Sequence, residues 1–147
     1  MIQSVAFIGL GAMGYRMAAH LVKHFDHVWV WNRNLSKAEA HAKQYGSQAV
    51  QLEQAVQADV IFSCLPTSQD VYDLIQRVTL KSGSVWVDCT SGVPETARLL
   101  HQQLKAQGIG FLDAPVSGQT IGAEKGTLTV MIGGDARSEE HTSELQS

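Results

Sequence analysis

Short apolar runs and longer amphipathic stretches alternate along the chain, which predicts strands and helices in turn. The apolar runs are rich in valine, isoleucine and aromatic residues, as buried parallel strands are. We place strands at 4–8, 28–31, 59–65, 85–89, 109–112 and 127–132, with a short strand at 49–52. The stretches between them carry apolar residues three or four positions apart, so we place helices at 12–24, 35–45, 68–78 and 94–107 and a short helical piece at 52–58.

Capping residues support the boundaries of the second and the last long helix. Ser36 is a candidate N-cap of the second helix, and Gly46 ends it. Pro94 suits the first turn of the last helix. Strands that alternate with helices at this spacing predict right-handed βαβ units, and hence an α/β fold with a doubly wound, mostly parallel sheet.

The last eleven residues, 137–147, do not continue this pattern. They read R-S-E-E-H-T-S-E-L-Q-S, contain one apolar residue, Leu145, and match the translation of a common sequencing-library adapter. Tags and scars of this kind are left out of fold reasoning. We therefore expect a single domain over 1–136 and a non-native tail over 137–147; a natural polar C-terminus is the alternative.

Composition and charge argue against several classes of partner. The chain has 147 residues, 44% of them hydrophobic and 17% charged, and a net charge of -3, which favours neither nucleic acid nor an anionic membrane as a partner. No apolar run reaches the roughly 18 residues of a spanning helix, and the first residues lack the basic region of a signal peptide. Cys64 and Cys89 are expected to be reduced structural thiols of a cytoplasmic protein, and neither they nor the six histidines suggest a metal site.

Glycines follow the first predicted strand at the spacing G-x-G-x-x-G. Gly9, Gly11 and Gly14 stand between that strand and the first helix, which is the context of a dinucleotide-binding, Rossmann-like turn. Gly9 allows the sharp turn, Gly11 lets the backbone approach a pyrophosphate at the helix N-terminus, and Gly14 lets the helix pack closely on the strand. The alternative is a glycine-rich turn in some other α/β protein.

The end of the second strand bears on which dinucleotide is bound. NAD-binding forms place an acidic residue near this point to accept the ribose hydroxyls, but residues 29–37 contain no Asp or Glu. Arg33 instead suits a 2′-phosphate, so NADP is favoured over NAD. The alternative is that Arg33 is a solvated loop charge, and Lys37 either assists it or is ordinary helix surface.

A second glycine-bearing stretch runs from 111 to 134 and reads F-L-D-A-P-V-S-G-Q-T-I-G-A-E-K-G-T-L-T-V-M-I-G-G. Backbone N–H groups beside Gly118, together with the hydroxyl of Ser117, are able to hold a carboxylate, although a plain loop between strands is the alternative. With the segments F-I-G-L-G-A-M-G, W-N-R, C-L-P, V-D-C-T-S-G-V-P and D-A-P-V-S-G in the same order, residues 3–135 resemble the β-hydroxyacid dehydrogenase family. That family includes 3-hydroxyisobutyrate dehydrogenase, tartronate semialdehyde reductase and, more distantly, 6-phosphogluconate dehydrogenase.

The resemblance implies a role for individual positions. The pyrophosphate loop corresponds to Gly9, Leu10, Gly11, Ala12, Met13 and Gly14. The adenosine ribose or 2′-phosphate site corresponds to Asn32 and Arg33, and the nicotinamide half to Cys64, Leu65, Pro66 and Ser91. The substrate loop corresponds to Ser117, Gly118 and Gln119.

The resemblance also implies an activity for the whole protein. Family members transfer a hydride between a small β-hydroxyacid and NADP(H) or NAD(H), and the intact parent is expected to form a homo-oligomer. The family's catalytic lysine and its all-helical C-terminal domain lie beyond the part that this chain covers, so the chain is expected to bind NADP without turnover. A non-catalytic nucleotide-binding module and the first domain of an imine reductase are the alternatives.

Two positions depart from the family pattern. Gln119 stands where a second glycine is usual, so its side chain is expected to enter the substrate pocket. Asp26 stands where a glycine commonly closes the first helix, and Asp tolerates the left-handed geometry of such a position less well.

Overall fold

In the computed structural model, residues 2–114 are described, and they form alternating strands and helices. The strands are β1 Val5–Ile8, β2 Val28–Trp31, β3 Gln48–Ala49, β4 Val60–Ser63, β5 Val85–Asp88 and β6 Gly110–Asp113. The helices are α1 Ala12–Val22, α2 Leu35–Tyr45, α3 Leu52–Ala55, α4 Ser68–Gln76 and α5 Pro94–Ala106. The predicted strand at 127–132 lies outside the described residues.

All strand pairs in this range are parallel, and the sheet order is β3-β2-β1-β4-β5-β6. The chain therefore winds outward in one direction from β1 to β3 and in the other from β4 to β6. Ile8, the last residue of β1, lies in register between Trp31 and Ser63. The carboxyl ends of β1 and β4 consequently flank the point where the winding reverses, which is where open α/β sheets bind ligands.

Helices cover both faces of the sheet. Side chains alternate between the two faces along every strand, so each face presents apolar side chains that the helices bury. On one face Val5 and Phe7 join a buried cluster with Ala18 of α1 and Ala38 of α2. On the other face Ile61 and Trp86 pack with apolar residues of α3, α4 and α5, namely Leu52, Val71, Leu74, Ile75, Leu100 and Leu104. Helices on both faces of a parallel sheet confirm the predicted doubly wound α/β fold.

The ends of the elements differ from the predicted ends by a few residues. The first helix stops at Val22 rather than at residue 24, and α4 stops at Gln76 rather than at residue 78. The short strand lies at Gln48–Ala49, ahead of the predicted 49–52, and the short helix ends at Ala55. Helix ends fray in this way, so the differences leave the architecture unchanged.

One local prediction is wrong, and one expectation from the family pattern does not apply. The N-cap of α2 is Asn34, not Ser36: the Asn34 side chain accepts the Ser36 N–H at 3.1 Å from an extended backbone, and Ser36 is already helical. The backbone at Asp26 is not left-handed, since every positive φ in the described range belongs to a glycine. The C-cap of the first helix is Lys23, which has a right-handed conformation, so the end of this helix needs no glycine.

Within residues 2–114, none of the helices combines the length and the apolar character needed to traverse a bilayer.

Candidate functional site

An open groove with a volume of about 1050 Å³ lies above the carboxyl ends of the strands, at the point where the winding reverses. The glycine turn and the start of α1 form its floor, and the loops after β2 and β4 form its two ends. Most of the predicted cofactor-binding residues line it: Gly9, Leu10, Gly11, Ala12, Met13, Gly14, Asn32, Arg33, Cys64, Leu65 and Pro66.

Two of the three glycines are required by packing within the protein. Gly9 has a φ of 98°, a conformation that side chains disfavour, and a Cβ there would lie 2.2 Å from the carbonyl oxygen of Cys64. A Cβ at Gly14 would lie 2.1 Å from the carbonyl oxygen of Gly9. Both distances are far below van der Waals contact, so the strand, the turn and α1 can approach this closely only with glycine at both positions.

Packing against the described part of the chain does not require glycine at position 11. Its φ of -70° suits any residue, and a Cβ there would have no neighbour within 4 Å among the residues that the structure describes. Gly11 is the N-cap of α1, and because glycine has no side chain it does not cap the first amides of the helix. The first turn of α1 also carries no acidic residue. The amides at a helix N-terminus lack partners within the helix and carry partial positive charge, so this open face is suited to an anion such as a pyrophosphate.

Asn32 fixes the glycine turn to the end of β2. Its Oδ1 accepts the backbone N–H of Leu10 at 2.8 Å, and its Nδ2 donates to the carbonyl of Asn34 at 3.1 Å. Both ends of the amide are therefore engaged with backbone. The geometry makes Asn32 a residue that positions the turn, whereas the resemblance alone implied direct contact with the ribose.

Arg33 and Lys37 place positive charge at the β2 end of the groove. Both side chains are exposed and both line the groove. The first turn of α2 contains no acidic residue, so nothing in that turn neutralises them. A dianionic phosphate on the adenosine ribose would meet complementary charge at this end.

The end of the groove opposite Arg33 is a wall formed by residues 64–66 after β4. Leu65 donates its backbone N–H to Oγ1 of Thr90 at 3.0 Å, and Thr90 is buried at 2% exposure just after β5. Sequence reasoning missed Thr90 and favoured its neighbour Ser91. Ser91 is exposed and is not among the residues that line the groove, so its predicted place beside the nicotinamide stays a prediction.

A buried carboxyl group lies below that wall. Asp88, 5% exposed, accepts hydrogen bonds from Ser63 Oγ at 2.9 Å and from the Thr90 N–H at 3.0 Å. Burial raises the pKa of this carboxyl, and the hydrogen bonds from Thr90 and Ser63 only partly offset that effect. Nearby, Cys64 and Cys89 are free thiols whose pKa values are also raised by burial, which suits structural rather than reactive cysteines.

Sequence reasoning also missed the contribution of α4 to the groove. Asp70, Asp73 and Leu74 line it from one side, together with Arg77, the C-cap of that helix. Asp70 is already engaged in the capping box at the start of α4 with Thr67. The spacing of these four positions marks one helical face, next to the apolar face that packs on the sheet, so the signal was present in the sequence. Trp31, assigned to packing, both packs on the core and lines the groove.

The predicted substrate residues Ser117, Gly118 and Gln119 lie outside the described residues, so their roles stay predictions.

Comparison with known sequences places this groove in context. The sequence model of the NAD-binding domain of 6-phosphogluconate dehydrogenase matches residues 4–146. An NAD-dependent L-serine dehydrogenase from Pseudomonas aeruginosa is 39% identical over 145 residues, covering 95% of this chain and 49% of that protein. A 3-hydroxyisobutyrate dehydrogenase from the same organism is 38% identical over 141 residues, covering 90% of this chain and 46% of that protein. The chain thus spans about half the length of these curated relatives.

Solved structures agree with this placement. A Mycobacterium tuberculosis 3-hydroxyisobutyrate dehydrogenase with L-serine superposes with a TM-score of 0.87 and 32% identity, covering 99% of this chain and 51% of that one. Psf3 in complex with NADP+ and 2-OPP gives a TM-score of 0.86 and 32% identity, covering 97% of this chain and 52% of that one. An imine reductase from Pseudomonas sp. gives 0.85 at 23% identity, covering 99% and 52%, and that likeness shows the fold alone.

Proposed function

Because the chain belongs to the family of the NAD-binding domain of 6-phosphogluconate dehydrogenase, we propose that it binds NADP(H) in the groove above β1 and β4, as the nucleotide-binding half of an oxidoreductase. The pyrophosphate would sit over the glycine turn, with the adenosine toward Arg33 and the nicotinamide toward Leu65 and Pro66. The cofactor supplies the hydride chemistry, and this half of the protein holds and orients it.

The open space above Gly11 is the observation that carries this proposal. Packing accounts for glycine at positions 9 and 14, but no atom of residues 2–114 lies close enough to a Cβ at position 11 to require glycine there. A glycine at the N-cap of a helix whose first turn faces an open groove is what close approach of a diphosphate requires.

The preference for NADP over NAD is part of the proposal and rests on charge. The relevant end of the groove offers Arg33 and Lys37, and residues 29–37 contain no carboxylate to accept ribose hydroxyls. Charge-assisted hydrogen bonds from a guanidinium to a phosphate are among the stronger polar contacts. Relatives differ in this respect, since one is named as NAD-dependent and one solved structure holds NADP+.

Titration of the chain with the two dinucleotides tests the proposal. Trp31 lines the groove, so its fluorescence is expected to change when a dinucleotide binds. NADP+ should bind more tightly than NAD+. Added salt should weaken the binding of NADP+ more than that of NAD+, because NADP+ carries an extra phosphate. Absence of binding by either dinucleotide at millimolar concentration would overturn the proposed function.

For the whole protein we propose hydride exchange between the nicotinamide and a small β-hydroxyacid or its carbonyl form. Ser117, Gly118 and Gln119 would contribute to the grip on the substrate carboxylate. The family resemblance implies that a lysine outside the half covered here handles the hydroxyl proton, and on that basis we propose that the 147-residue chain binds cofactor without measurable turnover. Turnover of small hydroxyacids by this chain at the rate of intact family members would contradict that expectation.

We further propose a cytoplasmic location, a homo-oligomeric parent, and a tail over 137–147 that contributes nothing to cofactor binding. Free thiols at Cys64 and Cys89 are compatible with a reducing compartment. Removal of residues 137–147 should leave the Kd for NADP+ unchanged. A higher Kd after the removal would argue that these residues are a natural C-terminus.

A further inference from the structure

Two hydrogen bonds hold residues 64–66, the wall of the groove beside the glycine turn: the Cys64 N–H donates to the Ile8 carbonyl at 2.9 Å, and the Leu65 N–H donates to a side chain. Leu65 lies beyond the end of β4, so its N–H has no strand partner, and Oγ1 of Thr90 accepts it at 3.0 Å. The same segment backs the turn directly: a Cβ at Gly9 would lie 2.2 Å from the Cys64 carbonyl oxygen and 2.8 Å from Cδ2 of Leu65. The positions of Cys64 and Leu65 together therefore set how closely this wall approaches the turn, and Thr90 fixes the second of them.

Thr90 is itself fixed by a buried polar chain. Its backbone N–H donates to Oδ1 of Asp88 at 3.0 Å. Asp88 Oδ1 also accepts a hydrogen bond from the Ser63 hydroxyl at 2.9 Å. The Ser63 oxygen in turn accepts a hydrogen bond from the Trp86 indole N–H at 2.8 Å. All four side chains are at most 5% exposed, so the chain of bonds is shielded from water and each bond is strengthened.

Packing alone does not account for this arrangement. Valine has nearly the shape of threonine and would fill the site without a hydroxyl that needs partners, and a buried carboxyl group is costly unless it is hydrogen-bonded. The chain of bonds instead ends on a backbone amide at the rim of the groove. Hydrogen bonds that end on this amide are suited to fixing the position of the wall.

We propose that Thr90 is a positioning residue for the dinucleotide groove: anchored by Asp88, its hydroxyl fixes the Leu65 amide and so holds residues 64–66 at a set distance from the glycine turn. The inference rests on the proposed function. Thr90 acts through the wall and does not touch the dinucleotide. Loss of its hydroxyl should therefore weaken NADP+ and NAD+ by the same factor, because the wall is common to both.

Hydrogen exchange on the unsubstituted 147-residue chain is the first arm of the test. The Leu65 amide should exchange as slowly as the amides of β4, although it lies outside the strand. Exchange of Leu65 at the rate of an open loop would overturn the proposal, whatever any variant does.

Two variants form the second arm. Thr90→Val should raise the exchange rate of Leu65 by about tenfold and the Kd of both dinucleotides by about five- to tenfold, the equivalent of one hydrogen bond. Thr90→Ser keeps the hydroxyl and should restore both quantities to within about twofold. Thr79→Val, the same change at an exposed position, is the matched control and should alter neither.

The outcomes separate this proposal from the proposed function. Suppose that the unsubstituted chain binds a dinucleotide. The positioning role alone would then be overturned if Thr90→Val kept full affinity, or if Thr90→Ser lost as much affinity as Thr90→Val. Failure of the unsubstituted chain to bind either dinucleotide would overturn the proposed function and this inference with it.

Discussion

The side-chain oxygen of Asn32 accepts the backbone N–H of Leu10 at 2.8 Å, which ties the glycine turn to the loop that carries Arg33. The other end of the Asn32 amide donates to Asn34, the residue that caps α2. The proposed pyrophosphate site and the proposed ribose-phosphate site are thus joined through one side chain. Because the turn serves any dinucleotide, a disturbance at Asn32 should reach both cofactors.

Asn32→Ala should weaken NADP+ and NAD+ to a similar extent, by about tenfold, since it releases the Leu10 amide and the loop beyond β2 without removing a cofactor contact. Asn32→Asp is the informative partner. It keeps an acceptor for the Leu10 N–H but adds negative charge near the 2′-position, so the ratio of the two Kd values should shift toward NAD+. Fluorescence titration of both variants with both dinucleotides measures this; an unchanged ratio in Asn32→Asp would contradict it.

Arg33→Ala should weaken NADP+ by about tenfold or more and leave NAD+ within about twofold, because only NADP+ carries the phosphate that the guanidinium would pair with. The matched control is Arg98→Ala, which removes the same charge from an exposed site on α5 paired with Glu95. Isothermal titration at low and moderate salt would separate local pairing from general attraction. Equal weakening of both dinucleotides by Arg33→Ala would refute the assigned role.

The fold was predictable because its signals are local. Runs such as 28–31 and 85–89 are short, mostly apolar and bounded by turn residues, and the glycine spacing at 9–14 identifies the first strand-to-helix turn without any tertiary information. The capping error at α2 shows where local signals become degenerate. Asn34 and Ser36 both favour N-caps, and the sequence does not reveal which of them takes the extended backbone.

The parts of the site that escaped prediction depend on strand pairing. Thr90 and Ser91 are adjacent hydroxyl residues after β5, and only the pairing of β4 with β5 brings one of them within 3.0 Å of Leu65. The groove face of α4 was readable in principle, since Asp70, Asp73 and Arg77 follow a helical spacing. Its role becomes visible only once α4 is placed at the carboxyl edge of the sheet.

His41 should make the stability of the chain depend on pH. It is fully buried between Tyr15 and Ser47, where its ring nitrogens lie 3.0 Å from the Tyr15 carbonyl and 2.7 Å from the Ser47 hydroxyl. Burial lowers its pKa below the usual 6.5, and the hydrogen bond to Tyr15 does not offset this. The folded chain then binds the proton less readily than the unfolded chain, so the stability contribution is complete above pH 6.5 and is lost as the pH falls below it.

Urea unfolding at pH 7.5 and pH 5.5 checks that expectation. His41→Gln should be less stable than the parent at the higher pH, because packing is disturbed, but should lose less stability between the two. His27→Gln, at an exposed position, is the matched control and should retain the parent's dependence. A pH dependence in His41→Gln as steep as that of the parent would show that other groups are responsible.

The three glycines of the turn should separate into those that the fold needs and the one that the ligand needs. Gly14→Ala places a Cβ 2.1 Å from the Gly9 carbonyl oxygen, so it should lower the free energy of unfolding by about 3 kcal/mol. Gly11→Ala enters open space at an ordinary φ of -70°, so it should cost at most about 1 kcal/mol while weakening both dinucleotides by tenfold or more, about the loss of a close backbone contact. Denaturant unfolding and dinucleotide titration on the same two variants give the comparison. If Gly11→Ala kept full affinity, the space above Gly11 would not be where the diphosphate lies, and the groove would need another ligand.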